Sequence, residues 1–124
     1  MTAWLVSEDA LQMFRMDDVG SVRLEITDER GGDDGVHPTK RLARAERVRV
    51  MVGTRAGEVM CALTCPGRDA LSARQELVGK LDSVEQQPGV TVYFHPPAGA
   101  WPRKKPVEIW TMSRTMPEPD FVHR

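Results

Sequence analysis

One segment of this chain repeats its apolar residues at helical spacing. Ala70, Ala73, Leu77, Leu81 and Val84, with Val78 beside them, fall on one stripe, while Arg74, Glu76, Lys80 and Asp82 face the other way. The spacing predicts one amphipathic helix over about 69–86. Asp69 or Ser72 can cap its start, Ser72 having Gln75 three residues on, and Gln87-Pro88-Gly89 stops it. A lone helix with a single apolar stripe has one place to bury it, across the face of a sheet. The rest of the chain has to supply that sheet.

Most of what remains alternates with period two, the spacing of half-buried strands. Val22, Leu24 and Ile26 alternate with Arg23, Glu25 and Thr27; Val48, Val50 and Val52 alternate with Arg49 and Met51. Gly53-Thr54-Arg55-Ala56-Gly57 turns the chain, and Val59, Cys61 and Leu63 run back against Met60 and Ala62 as a hairpin. Trp4–Val6 and Leu11–Met16 read as two short strands, with Asp17-Asp18-Val19-Gly20 as a turn. Val90, Val92 and Phe94 make the next strand, and Val107, Ile109 and Thr111 against Glu108, Trp110 and Met112 the last. Lys40 to Glu46 fits either a basic helical turn or an extended lead-in. The resulting fold class is α+β, with a single antiparallel sheet of about six to seven strands covered by the one helix.

Residues 1–115 read as a single domain. Within it, 28–39 is a polar, glycine-rich loop, and 95–106, with four prolines in twelve residues, is a stiff connector barred from a central strand. Residues 116–124 read as a flexible C-terminal arm. The stretch from Trp4 to Val19, followed by a hairpin around Gly57 and an amphipathic helix, resembles small uncharacterised bacterial proteins that begin I-V-S-x-D-G-x-L-F-R. The likeness covers 4–28 and 47–84, and this chain has Ala10 where those proteins carry a turn glycine. It implies a sheet-plus-helix fold and no activity.

Composition limits what such a domain can do. With 124 residues, 40% hydrophobic and 28% charged, the chain can bury a core without metals or disulfides. No run approaches the ~20 apolar residues that span a bilayer. The N-terminus has no basic n-region and meets acid at Glu8, so it reads as no signal peptide, and the expected location is cytoplasmic. The net charge is -1, so no whole-molecule field draws in nucleic acid or an anionic membrane. The charge is segregated, however. Residues 1–36 hold nine acids and three bases, whereas 37–55 hold six bases, Lys40, Arg41, Arg44, Arg47, Arg49 and Arg55, against Glu46 alone. Oppositely charged neighbouring strands would absorb much of this. A basic strip meeting an acidic partner or nucleic acid is the alternative.

Motifs for chemistry are sparse. Cys61 and Cys65 lack a second ligand pair for zinc, and His37, His95 and His123 are isolated. Cys61, in phase with Val59 and Leu63, reads as a small core residue. Cys65, just ahead of the helix and with His95 as a conceivable partner, is the one candidate nucleophile, in a low-ranking thiol-enzyme alternative. Arg30-Gly-Gly-Asp-Asp-Gly35 resembles the loop of diguanylate cyclases, but the chain is too short for that domain. The same loop has neither the acid spacing of a calcium loop nor the following helix of a phosphate loop. The paired acids Glu8-Asp9, Asp17-Asp18 and Asp33-Asp34 fall in turns. The reading therefore leans away from an enzyme and assigns no catalytic residue, metal or cofactor.

Two features point to partners. Met51, Met60, Trp110 and Met112 lie out of phase with the valine face; on the sheet face away from the helix they would form an apolar patch for a second copy of the chain or another protein. Trp101, Arg103, Lys104 and Lys105, on the stiff connector, would add a second contact. The expected function is a non-enzymatic protein–protein interaction or regulatory module, self-associating through the uncovered face. The alternative is an accessory protein touching nucleic acid through 40–55 and 103–105.

Overall fold

The first strand of the computed structural model, β1 (Thr2–Val6), pairs on both sides, antiparallel on one and parallel on the other. The structure describes residues 2–27, 38–83, 89–97 and 101–116. β1 folds back antiparallel on β2 (Met13–Arg15), with Leu5 opposite Phe14. The connecting loop closes on its own short side chains. The buried Ser7 hydroxyl donates to Asp9 Oδ1 and accepts the Gln12 N–H, and Asp9 Oδ1 also accepts the Leu11 N–H at 3.0 Å. Those accepted bonds hold the Asp9 carboxyl below the ordinary carboxylate value. Ala10 in this loop has φ +60°, the left-handed region that a β-carbon disfavours.

A 3₁₀ turn, Met16–Asp18, leads into an antiparallel meander of β3 (Val19–Ile26), β4 (Val48–Thr54) and β5 (Val59–Cys65). Val22, Leu24 and Ile26 sit opposite Val52, Val50 and Val48, as strict alternation requires when all point to one core. A bulge interrupts the β4–β5 pair. Val50 faces Leu63 and Met51 faces Cys61, so Ala62 is the extra residue. The phase flips there: Leu63 and Cys65 are buried on one side of the bulge, Ala62 and Met60 on the other. Cys61 is consequently only half-buried and Val59 exposed, a correction to the row expected from alternation.

The single sheet is likewise corrected. There are two, a four-stranded sheet in the order β2-β1-β6-β7 and the three-stranded meander, where β6 is Thr91–His95 and β7 is Thr111–Ser113. β1 and β6 run parallel, with Leu5 opposite Phe94. Parallel neighbours cannot be joined by a hairpin and need a long crossover. Here the crossover contains the meander and both helices. Period-two alternation marks each strand but carries no information about its partner.

Helix α1 (Pro38–Arg44) settles the ambiguous basic stretch as helical, and α2 (Gly67–Ser83) is the amphipathic helix. α2 buries Gly67, Ala70, Ala73 and Leu77, whereas Val78 is exposed. It starts two residues before Asp69, and neither expected cap is used. The Ser72 hydroxyl donates to the Asp69 carbonyl, and the Gly67 N–H donates to the Ala45 carbonyl at 2.9 Å, so the chain leaving α1 closes the start of α2. Only glycine permits this approach. A β-carbon at Gly67 would overlap the Leu42 carbonyl oxygen and lie 2.8 Å from that of Ala45.

The last expected strand begins late. Val107 to Trp110 is not extended ladder, because Ile109 and Trp110 turn inward against α2, and only Thr111–Ser113 pairs with β6. Both sheets and α2 share one core around Leu5, Val50, Leu77, Phe94 and Trp110. Most of the loop expected at 28–39, the helix end at 84–86 with Gln87-Pro88, connector residues 98–100 and the arm from 117 lie outside the described residues.

Candidate interaction surface

Of the four apolar anchors expected from sequence, the structure removes two. Trp110 is 0% and Met60 2% exposed. Met60 is inside because the Ala62 bulge shifts its phase. Trp110 is inside because its indole N–H donates to the Ala73 carbonyl at 2.9 Å and its segment is held by Glu76. Met51, half-buried on the outer side of β4 between Arg23 and Cys61, and Met112, 54% exposed on β7, lie on different sheets. The four residues do not form one patch. Trp101 is half-buried against the core, and its indole nitrogen is enclosed without a hydrogen-bond partner.

The basic strip divides into three. Arg49 is exposed on the outer face of the meander directly opposite Glu25, the cross-strand arrangement that neutralises charge locally. Arg55 lies at the β4–β5 turn, at the far end of β4 from Arg47. Lys40, Arg41 and Arg44 ride on α1, and α1 packs against the start of α2 through Gly67. Lys40 and Arg44 are exposed and Arg41 is half-buried.

The connector returns to that same end of α2. Lys105 Nζ donates to the Ser72 hydroxyl at 3.4 Å, with Arg103 and Lys104 exposed just before it. Ser72 stands one helical turn after Arg68, so Arg68 shares the α2 face that Lys105 reaches. Arg68 went unnoticed in the sequence because its neighbour Asp69 makes the pair look neutral. Their contact is loose, 3.9 Å, with the Arg68 side chain 66% exposed. The fold thus gathers Lys40, Arg44, Arg68 and Lys105 around the N-terminal end of α2. Cations oppose the helix dipole there, so their placement gains α2 no stability.

Burial, aided by the Asp69 carboxylate, pushes the Cys65 thiol up to about 12, the reverse of an activated nucleophile. Cys61, 3.4 Å from Glu8 Oε1, is pushed up to about 11 chiefly by burial. The His95 ring lies 3.3 Å from the Thr111 hydroxyl. Among the described residues no three His, Cys, Asp or Glu side chains gather as metal ligands, and no helix is long and apolar enough to cross a membrane. The glycine-rich Arg30–Gly35 and His37 lie outside the described residues. No family model, curated protein or solved structure matches the chain.

Proposed function

We propose that this protein is a non-enzymatic interaction module that docks an acidic protein surface against the basic end of α2. One observation carries the reading: two basic segments some 60 residues apart in sequence both reach the first turns of α2, the end of α1 at Gly67 and the connector at Ser72. Such a surface steers an acidic partner and sets its register more than it supplies affinity. Self-association through an apolar sheet face, the simpler expectation, loses support with Met60 and Trp110 in the core.

The same cations could follow a phosphate backbone, and salt separates the two readings. An acidic peptide and a single-stranded oligonucleotide of equal charge, each labelled for anisotropy, are titrated with the protein at low and moderate salt. Docking of an acidic protein requires the peptide to bind, and Arg44→Glu with Arg68→Glu to weaken it roughly tenfold or more. Arg49→Glu, on the sheet face, should leave it unchanged. Oligonucleotide binding that outlasts peptide binding and falls steeply with salt would shift the function to nucleic acid. Binding of neither would end the proposal.

A further inference from the structure

A second site stands apart from the basic end of α2. Where the outer edge of the four-stranded sheet meets the β4–β5 turn there is an open cleft of about 400 Å³, within the range of small-molecule sites. Trp4 and Met13, on the same face of the β1–β2 pair as Arg15, supply an apolar side, and Arg15, Asp18, Arg55 and Glu58 stand around it. The turn is tied down on both flanks. The Arg55 N–H donates to the Asp18 carbonyl at 3.1 Å, and the Glu58 N–H donates to the Thr54 hydroxyl at 3.1 Å. Gly20 leaves room for the Arg55 stem, since a β-carbon there would come within 3.1 Å of Arg55 Cγ.

The charges around the cleft are balanced and only partly used. Arg15 reaches Asp17 at 3.3 Å. Among the described residues the side chains of Arg55, Asp18 and Glu58 make no hydrogen bond or ion pair. Two guanidinium groups with two carboxylates disfavour a simple anion, which meets as many acids as bases, and a simple cation for the same reason. A ligand carrying both charges close together satisfies both signs at once, and its apolar part can lie against Trp4 and Met13.

We propose that the cleft formed by Trp4, Met13, Arg15, Asp18, Arg55 and Glu58 binds a small zwitterion with an apolar side chain, of the α-amino-acid class. Arg55 takes the carboxylate, Glu58 or Asp18 the ammonium, and the Trp4 indole and the Met13 thioether the side chain.

Three probes divide the ligand into its parts: L-phenylalanine, phenylacetate, which lacks the ammonium, and phenethylamine, which lacks the carboxylate. Each is titrated while the backbone amides of Thr54–Glu58 and the Trp4 indole are followed by two-dimensional NMR. Phenylalanine should shift these signals saturably and bind roughly tenfold tighter than either half-analogue. Arg55→Ala should weaken phenylalanine and phenylacetate and spare phenethylamine; Glu58→Gln should do the converse. Both residues are exposed, so the unchanged remainder of the spectrum reports that the variants are folded. No shift of the turn amides at tens of millimolar phenylalanine overturns the proposal. So does either half-analogue binding as tightly as the zwitterion. Neither outcome bears on the basic end of α2.

Discussion

Glu76 and Trp110 are joined through the backbone rather than through their side chains: one carboxylate oxygen of Glu76 accepts the Trp110 N–H at 2.6 Å, and the other accepts the Ile109 N–H at 3.1 Å. A carboxylate that takes two adjacent amides acts as a missing ladder strand would, letting the chain leave the sheet and drive Trp110 into the core. Glu76→Gln replaces one acceptor with a donor facing an N–H. It should destabilise the fold by about 1–3 kcal/mol, read as a lower urea midpoint with an unchanged slope.

Trp110→Glu, a natural choice for disrupting an exposed interface, should instead prevent folding. Even Trp110→Ala removes the largest fully buried side chain and should cost about 3–5 kcal/mol. Circular dichroism of Trp110→Glu checks this directly. A folded, soluble variant would mean that the indole is not in the core.

Two glycines on one helix should respond with opposite signs. Gly67→Ala pushes a methyl into the Leu42 and Ala45 carbonyls and should destabilise by about 1–3 kcal/mol, the range for overpacking. At Gly79 a β-carbon meets nothing within 4 Å, and Gly79→Ala should stabilise by about 1 kcal/mol through helix propensity. Thermal melts of the pair provide the comparison.

Ala10 holds a left-handed φ of +60°. Ala10→Gly should relieve that strain and, after the extra unfolded-chain freedom is set against it, raise stability by up to about 1 kcal/mol. Ala10→Val, β-branched, should do the opposite. Chemical denaturation of both variants tests the loop.

Both thiols are raised above their ordinary value of 9.0, to about 11 at Cys61 and about 12 at Cys65. A raised thiol is protonated in the folded state where the unfolded one is ionising. Its stabilising effect is therefore complete below about pH 9 and lost progressively as pH rises from there toward 11–12. Folded protein should react slowly with iodoacetamide at neutral pH, and Cys65→Ala should flatten the decline in stability above pH 9. Rapid alkylation of Cys65 at neutral pH would contradict its burial.

The local elements were largely legible in the sequence, and their pairing was not. The alternation of Val22–Ile26 and Val48–Val52 marks β3 and β4 because those strands bury one face each. The stripe through Ala70, Ala73 and Leu77 marks α2 for the same reason. The parallel partnership of β1 with β6 joins residues far apart along the chain, which no local period encodes. The bulge at Ala62 hides because Ala62 and Leu63 are both apolar, so either phase fits the pattern. At the candidate surface the connector and α1 are each visible as basic, but Arg68 on α2 is masked by its neighbour Asp69. Trp110 was misplaced because a sheet pattern cannot anticipate a carboxylate on a helix accepting the strand's amides.

The parallel β1–β6 pair also sets a timetable for synthesis. Strand β1 ends at Val6, yet its parallel neighbour ends only at His95, so the two are made far apart in time. At roughly 5–20 residues per second, β1 spends several seconds outside the ribosome's reach of its partner, with one hydrogen-bonding edge open to any passing strand. Contacts this distant in sequence slow folding as well, since the loop between them must close before they contribute. The β3–β4–β5 meander, built from neighbours, can form first and offer its valine face as the template on which the later strands assemble.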